Sequence, residues 1–450
     1  MSTDDRSFLG HPKGLAVLAF TEAWERFSFF GMQTLLVLYM VDQLLVPGTA
    51  GNVLGLAGLR HSLEGLMGPL STQAFASMIF GLYSGFAYFL PVFGGLIGDR
   101  WAGQHRMVTI GAVLMAAGHL LMAFEAPFLV ALALLIFGSG CLKGNISTQV
   151  GSLYGPNDRR RTDAFQIFAF GINIGGVAAP FVCGTLGELY GWHYGFGMAG
   201  IGMMIGLGIY LSGRRYLPPD LRKTRIAQVR KPLGREEWKV IGALVFVLLI
   251  VTLYLTPGGQ MGNTYPLWVR SHVDRHVGSF EIPVTWFLSF TAIASLFLPP
   301  MILRFWRFQA DRGHEPDEIG KLRVGLGVAT LTYSLLALLS WSIGDGISWL
   351  WLILYHSLFA LAYLFIWPVG MSLFARCAPP SVNAMFIGIF YTSVFFANNI
   401  VGVVGGLYSR MPAPAFWALQ AAIGLFGFVL ILVFGAPIRR ILRPRAPPIV

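Results

Sequence analysis

The chain has 450 residues, 55% of them hydrophobic and only 12% charged, against roughly 25% charged in ordinary soluble domains. A formal net charge of +11 raises the question of a nucleic-acid partner, but the basic residues gather in the segments between apolar runs and on one side of them, which argues against nucleic acid. The three cysteines, Cys141, Cys183 and Cys377, have no metal-ligand spacing. At least two lie within apolar runs, so neither a disulfide framework nor a metal site is expected, and no cofactor pattern is present.

The opening MSTDDRSFLGHPKG is acidic where a secretory signal is basic. The first apolar run carries three charges, so no cleavable leader is expected. Twelve stretches are long enough to cross about 30 Å of hydrocarbon. They cover residues 14–42, 73–97, 106–124, 127–151, 163–187, 192–213, 240–268, 284–305, 322–342, 348–375, 382–407 and 414–436. An even number of spans puts both termini on one side. That side holds Arg6, Lys13, Arg100, Arg106, Arg159, Arg160, Arg161, the run from Arg214 to Lys239, Arg304, Arg307, Arg312, Lys321, Arg323, Arg376 and four C-terminal arginines. The other side holds Arg60, Arg270, Arg275 and Arg410. This bias places both termini in the cytoplasm, in a bacterial-type inner membrane.

Span 1 carries Glu22, Glu25, Arg26, Phe29 and Gln33 at i, i+3, i+4, i+7 and i+11, one helical face. Span 4 carries Lys143, the chain's one mid-span lysine. An ionised side chain at bilayer depth costs about 2.5–3.5 kcal/mol on insertion scales, so such groups face cavities and pair with one another. Arg26 can take Glu22 at i−4. The second carboxylate is left to seek a proton or Lys143. A carboxylate held between low dielectric and a nearby cation can load and release a proton near neutral pH. Proton coupling is therefore expected at Glu22, Glu25, Arg26 and Lys143, with a static ion-pair cluster as the simpler alternative.

The longest polar stretch, 214–239, divides the chain into two sets of six spans, 1–213 and 240–450. The loop GGLIGDRWAGQHR (94–106) and the loop FQADRGHEP (308–316) place Asp99-Arg100 and Asp311-Arg312 at the same position in each set. The first resembles the loop signature of the major facilitator superfamily, which implies a charged clasp between helix ends. Such a repeat carries its site at midplane between the halves. The expected fold is thus an all-α integral membrane protein of the major-facilitator type, with twelve transmembrane helices in two six-helix halves and a basic cytoplasmic linker. Pro91, Pro180, Pro257 and Pro368 sit in or at the rim of spans and favour kinks. Asp99, Arg100, Pro257 and Pro368 are read as gating positions. Gly197, Gly200, Gly202, Gly206 and Gly208 in span 6 are expected to allow close helix approach.

Six segments resemble the proton-dependent oligopeptide transporter family. TEAWERFSFFGM (21–32) is similar to its ExxERFxYYGM signature, and GSGCLKGNISTQVGSLY (138–154) to its fourth-span motif. FQIFAFGINIGGVAAP (165–180) resembles its fifth-span element, with Asn173 matched. EPDEIGKLRVGLG (315–327), WPVGMSLFARCAPP (367–380) and FFANNIVGVVGGLY (395–408) resemble later patterns. The resemblance implies proton-driven uptake of di- and tripeptides, with protons and a small peptide as partners and a monomeric carrier in the lipid bilayer. It implies that the first-span carboxylates and Lys143 handle the proton and gate. Arg26 and Lys143 would favour the substrate carboxylate, and Phe29, Phe30, Gln33, Asn173, Gln260, Tyr363 and Trp367 fall at substrate-facing positions.

The departures are equally specific. The family's tyrosine pair is Phe29-Phe30, its following arginine is Gln33, its span-10 glutamate is Tyr363, and its span-7 Glu-Gln pair is Gly259-Gln260. The acidic pole for a substrate amine is missing. An ammonium in a dry site needs a counter-charge or full hydrogen bonding. Tyr363, Phe29, Phe30 and Trp367 offer cation–π contact worth about 0.5–2 kcal/mol, a softer hold. A non-peptide or N-blocked carboxylate, or a transport-dead sensor, therefore stands beside the peptide reading. His356 reads as a hydrogen-bonded interior histidine, and Asn398-Asn399 as residues that satisfy backbone groups or line the path. A membrane enzyme would need a catalytic cluster at a membrane face, and His105 and His193 stand without one, so no enzyme is expected.

Overall fold

The structure, a computed structural model, describes residues 6–155, 158–220, 234–378 and 383–442. Twelve long helices form the body: α1 (Lys13–Tyr39), α3 (Thr72–Ile97), α4 (Gln104–Leu121), α5 (Phe128–Ser152), α6 (Arg160–Ala179), α7 (Trp192–Gly213), α8 (Arg235–Gly259), α10 (Trp286–Asp311), α11 (Glu318–Ser342), α12 (Leu350–Cys377), α13 (Asn383–Gly405) and α14 (Ala413–Leu442). Two short helices join them, α2 (Leu56–Met67) and α9 (Thr264–His272). Eleven of the long helices are long and apolar enough to cross a membrane. The twelfth, α4, is less apolar because it opens on Gln104, His105 and Arg106 and buries His119. All twelve expected spans thus correspond to helices, in a multi-pass membrane fold.

Local chemistry explains the departures from regularity. Pro180 has no N–H to give, and there α6 widens into π turns over Pro180–Gly184 and Leu186–Tyr190. The expected span 240–268 is interrupted three residues after Pro257 by the 3-10 turn Gln260–Gly262, which separates α8 from α9. Pro368 lies inside the unbroken α12. Of the linker 214–239, Arg214–Tyr216 is a 3-10 turn, residues 221–233 lie outside the described residues, and α8 begins already at Arg235. The four C-terminal arginines divide likewise: Arg439 and Arg440 close α14, and the other two lie outside the described residues. Helix α2 had no counterpart among the expected elements.

Helix α1 packs on α6 and α7, α4 on α5, and α11 on α12 and α14. Helix α3 lies between α5 and α13, and α10 touches both α6 and α12. The α3–α13 crossing is close: a Cβ added at Gly81 would come 2.5 Å from the Asn398 carbonyl oxygen. In α7 the glycine expectation holds for three of five positions. Gly200, Gly202 and Gly206 face Leu120, Phe27 and Trp24, whereas Gly197 and Gly208 face open space, the lipid side of a surface helix.

At the end of the bundle opposite Lys13 and Leu442, polar contacts tie the first six long helices to the last six. Glu188, at the end of the α6 extension, accepts from the backbone N–H of Val284 and Thr285, both at 2.8 Å, and from Thr285 Oγ1 at 2.7 Å. These two residues lead into α10, with Thr285 at its N-cap position. Trp286 Nε1 donates to Thr185 Oγ1 at 2.8 Å, and Arg270 pairs with Asp42. Ser77 Oγ donates to Asn263 Oδ1 at 2.9 Å, and Gln73 Nε2 to the Gly405 carbonyl at 3.0 Å. This end is closed.

Candidate functional site

The 3.6-residue period of α1 carries Glu22, Glu25 and Arg26 inward together, and their exposures are 4%, 0% and 7%. Arg26 Nε donates to Glu22 Oε1 at 2.9 Å and lies 2.7 Å from Glu25 Oε2. One guanidinium serves two carboxylates. Glu22 Oε2 and Glu25 Oε1 have no hydrogen-bond partner among the described residues. A buried charge left without partners is costly, so this arrangement favours a proton or a second cation on the pair.

Lys143 does not supply that cation by direct pairing. Its Nζ lies 3.9 Å from the Phe29 ring centroid and 4.7 Å from that of Tyr88, with no hydrogen-bond partner among the described residues. Arg26 Cζ lies 5.5 Å from the same Phe29 ring. Phe29 therefore holds both cations by its π faces. The expected Arg26–Glu22 pair at i−4 is present, but the second carboxylate, Glu25, shares the same guanidinium and does not meet Lys143, which rests on an aromatic seat.

Beside this cluster is a cavity of about 400 Å³ between the two sets of six helices. Phe30, Gln33 and Thr34 of α1, Tyr88 of α3 and Asn173 of α6 form one wall. Met261, Thr291 and Ser295, Phe359 and Tyr363, and Asn398 form the other. Among the described residues, its lining contains no aspartate, glutamate, lysine or arginine. Tyr88 touches both the cavity and Lys143, so the charges stand one aromatic layer behind the wall. A larger groove of about 640 Å³ between α1 and α6, with Phe8, Phe20, Trp24 and Phe170 in its walls, is almost wholly apolar and faces outward. It offers almost no polar surface with which to recognise a solute, and the smaller cavity, which carries Gln33, Asn173, Thr291 and Asn398 among apolar residues, is the candidate site.

Of the expected substrate-facing residues, Phe30, Gln33, Asn173 and Tyr363 line the cavity. Phe29 lies behind it, beneath Lys143. Gln260 is turned away: fully buried, it donates to the Val401 carbonyl at 3.2 Å and accepts from Asn263 at 3.1 Å and Thr264 at 3.0 Å. Its amide ties the turn between α8 and α9 to α13 and to the side chains of Asn263 and Thr264. Trp367 is taken up in an aromatic stack, 6.3 Å from Tyr363, 4.9 Å from Phe390 and 5.7 Å from Tyr391. Asp99 accepts from Gln104 Nε2 at 3.1 Å within the π turn Gly98–Ala102, and Arg100 is exposed beside it. Asn398 fulfils both readings, donating to the Val394 carbonyl at 2.8 Å and lining the cavity. Tyr88 and Thr291 were not anticipated. Neither is charged or part of a quoted motif, and only the fold brings them to the wall.

The sequence profile of the POT family matches residues 105–231 and 222–420. The peptide transporter YePEPT of Yersinia enterocolitica subsp. palearctica is 28% identical, over 97% of this chain and 96% of that one. A di-/tripeptide transporter of Lactococcus lactis subsp. cremoris is 27% identical, over 98% and 99%. Among solved structures, a variant of the peptide transporter POT in complex with alafosfalin superposes with a TM-score of 0.85 at 26% identity, covering 98% of both chains.

Proposed function

The chain belongs to the POT family, and on that premise we propose that it is a secondary active transporter, not an enzyme, that couples proton entry to uptake of di- and tripeptides by alternating access. The observation that carries this reading is the buried Glu22–Arg26–Glu25 triad, one cation for two carboxylates, beside a cavity closed at one end. Protonation of one carboxylate leaves Arg26 neutralised by the other. Deprotonation restores competition for the guanidinium. Lys143, seated on Phe29, is free to meet a substrate carboxylate or the triad as that balance changes.

The two six-helix units, 1–213 and 240–450, rock about the cavity in this scheme, with 214–239 as the cytoplasmic tether. Both termini face the cytoplasm of a bacterial-type inner membrane, and the closed end faces outside, as the basic bias supports. The structure then represents an inward-facing state. Asp99 and Arg100 act at the cytoplasmic gate, and the break after Pro257 and the kink-prone Pro368 give α8 and α12 places to bend. Substrate contacts fall to Phe30, Gln33, Asn173 and Tyr363, with Arg26 and Lys143 drawing the carboxylate end. The working unit is a monomer.

One observation favours a second reading, a transporter of a non-peptide or N-blocked carboxylate: Tyr363, not a glutamate, faces the cavity, whose lining holds no acid among the described residues. Counterflow exchange in liposomes, with matched free, N-acetylated and C-amidated dipeptides as competitors, decides between them. Competition by free dipeptides supports the peptide reading. Competition by N-acetylated forms alone favours the second. Failure of every compound to exchange would return the chain to a sensor without transport.

A further inference from the structure

We infer that the C-terminal wall of the cavity presents a hydrogen-bond donor, the Thr291 hydroxyl, held in that role by His356 and Tyr265, and that this subsite takes a carbonyl oxygen near the amino end of the substrate. The inference rests on the transport reading for its substrate and on the structure alone for its hydrogen-bond direction.

His356 lies inside α12 with no exposed surface. One ring nitrogen, Nε2, is 2.8 Å from Tyr265 Oη, and the other, Nδ1, is 2.6 Å from Thr291 Oγ1. Thr291 lines the cavity and also reaches Met261 Sδ at 3.4 Å. No carboxylate among the described residues lies within ion-pair distance of the ring, so the imidazole is taken as neutral, with one donor and one acceptor nitrogen.

Counting hydrogens selects the direction. Tyr265 is fully buried, and His356 is its one hydrogen-bond partner among the described residues. Were Nε2–H the donor, the phenolic proton of Tyr265 would be buried with no acceptor, which costs about 1–3 kcal/mol. With Tyr265 donating to Nε2, the ring proton sits on Nδ1 and donates to Thr291 Oγ1. The Thr291 proton is then directed to the thioether of Met261, a weak acceptor that an oxygen in the cavity displaces. Every proton is used, and the chain Tyr265→His356→Thr291 ends as a donor at the wall.

A donor there suits a carbonyl, that of an N-acyl cap, which a free-amine peptide lacks. It does not suit an ammonium, which brings only donors of its own. The absence of acidic residues from the described lining points the same way. His356 is accordingly a positioning residue and Thr291 the contact.

Two measurements test this. In histidine-labelled protein, nitrogen and ring-carbon shifts, with the His356 signal identified by its loss in His356→Gln, should report the Nδ1–H tautomer; the Nε2–H tautomer overturns the hydrogen-bond direction whether or not the protein transports. In counterflow, Thr291→Val should raise KM for an N-acetylated dipeptide about tenfold and for its free-amine counterpart less than twofold, with Thr291→Ser restoring both. Equal loss for the two substrates, or a larger loss for the free amine, overturns the subsite. Absence of wild-type exchange with either substrate defeats the transport reading and with it the assignment of a carbonyl, while the tautomer still decides the direction of the wall.

Discussion

Replacing Glu188 by alanine should tip the bundle toward opening at its closed end. Glu188 accepts three hydrogen bonds from Val284 and Thr285, the two residues that lead into α10, two from backbone N–H groups and one from the Thr285 hydroxyl. Bonds to a charged acceptor contribute about 1.5–3 kcal/mol each, neutral ones 0.5–1.5. The bonds are only partly buried, so about 1 kcal/mol each is the appropriate scale, or about 3 kcal/mol together. At about 1.4 kcal/mol per tenfold, the equilibrium between closed and open far ends should shift by about two orders of magnitude. Spin labels at Tyr190 and Ser279, both exposed beside this end on opposite sets of helices, report the change as a second, longer distance population. Asp42–Arg270 and Trp286–Thr185 remain in the variant, so the shift should be partial. A distance distribution identical to that of the parent would refute the assignment of Glu188 as a latch.

Lys143→Met should cost little stability, because the ammonium makes cation–π contacts worth about 0.5–2 kcal/mol and leaves no bonded partner behind; affinity for a free substrate carboxylate should nevertheless fall at least about tenfold, as measured by counterflow KM, and unchanged KM would contradict the role. Gln260→Leu should do the reverse. It strips partners from the Val401 carbonyl and from Asn263 and Thr264, so thermal stability in detergent should fall by about 2–3 kcal/mol, while KM in the folded fraction stays within about twofold; a selective KM effect would restore Gln260 to the substrate site.

Hydropathy located the long helices because each must satisfy its own backbone across the bilayer, a demand written into some twenty residues at a time. Helix α2 escaped it: Leu56–Met67 is short and amphipathic, with Arg60 and Glu64 paired at 3.0 Å on one face. The Arg26–Glu22 pair was legible from its i, i+4 spacing, whereas Glu25, adjacent to Arg26 in sequence, joins it only in the fold. Lys143 was not legible, because its seat depends on how α5 meets α1, and a π face competes with a carboxylate only once that geometry is known. Gln260 and Trp367 show the same limit from the other side. Their positions matched a family pattern, but the break at Gln260–Gly262 and the stack on Phe390 consumed both side chains. His356 read correctly as an interior histidine, and its partners Thr291 and Tyr265, 65 and 91 residues away, could come only from the fold.

The most direct test of proton coupling at the triad is proton influx into proteoliposomes, followed with a lumenal pH dye, on addition of a dipeptide that the protein exchanges. The parent should acidify the lumen in step with uptake and accumulate the dipeptide against its gradient. Glu25→Gln should retain counterflow exchange but lose both the acidification and the uphill accumulation. Accumulation driven by a pH gradient in Glu25→Gln would contradict the account and place the proton site elsewhere.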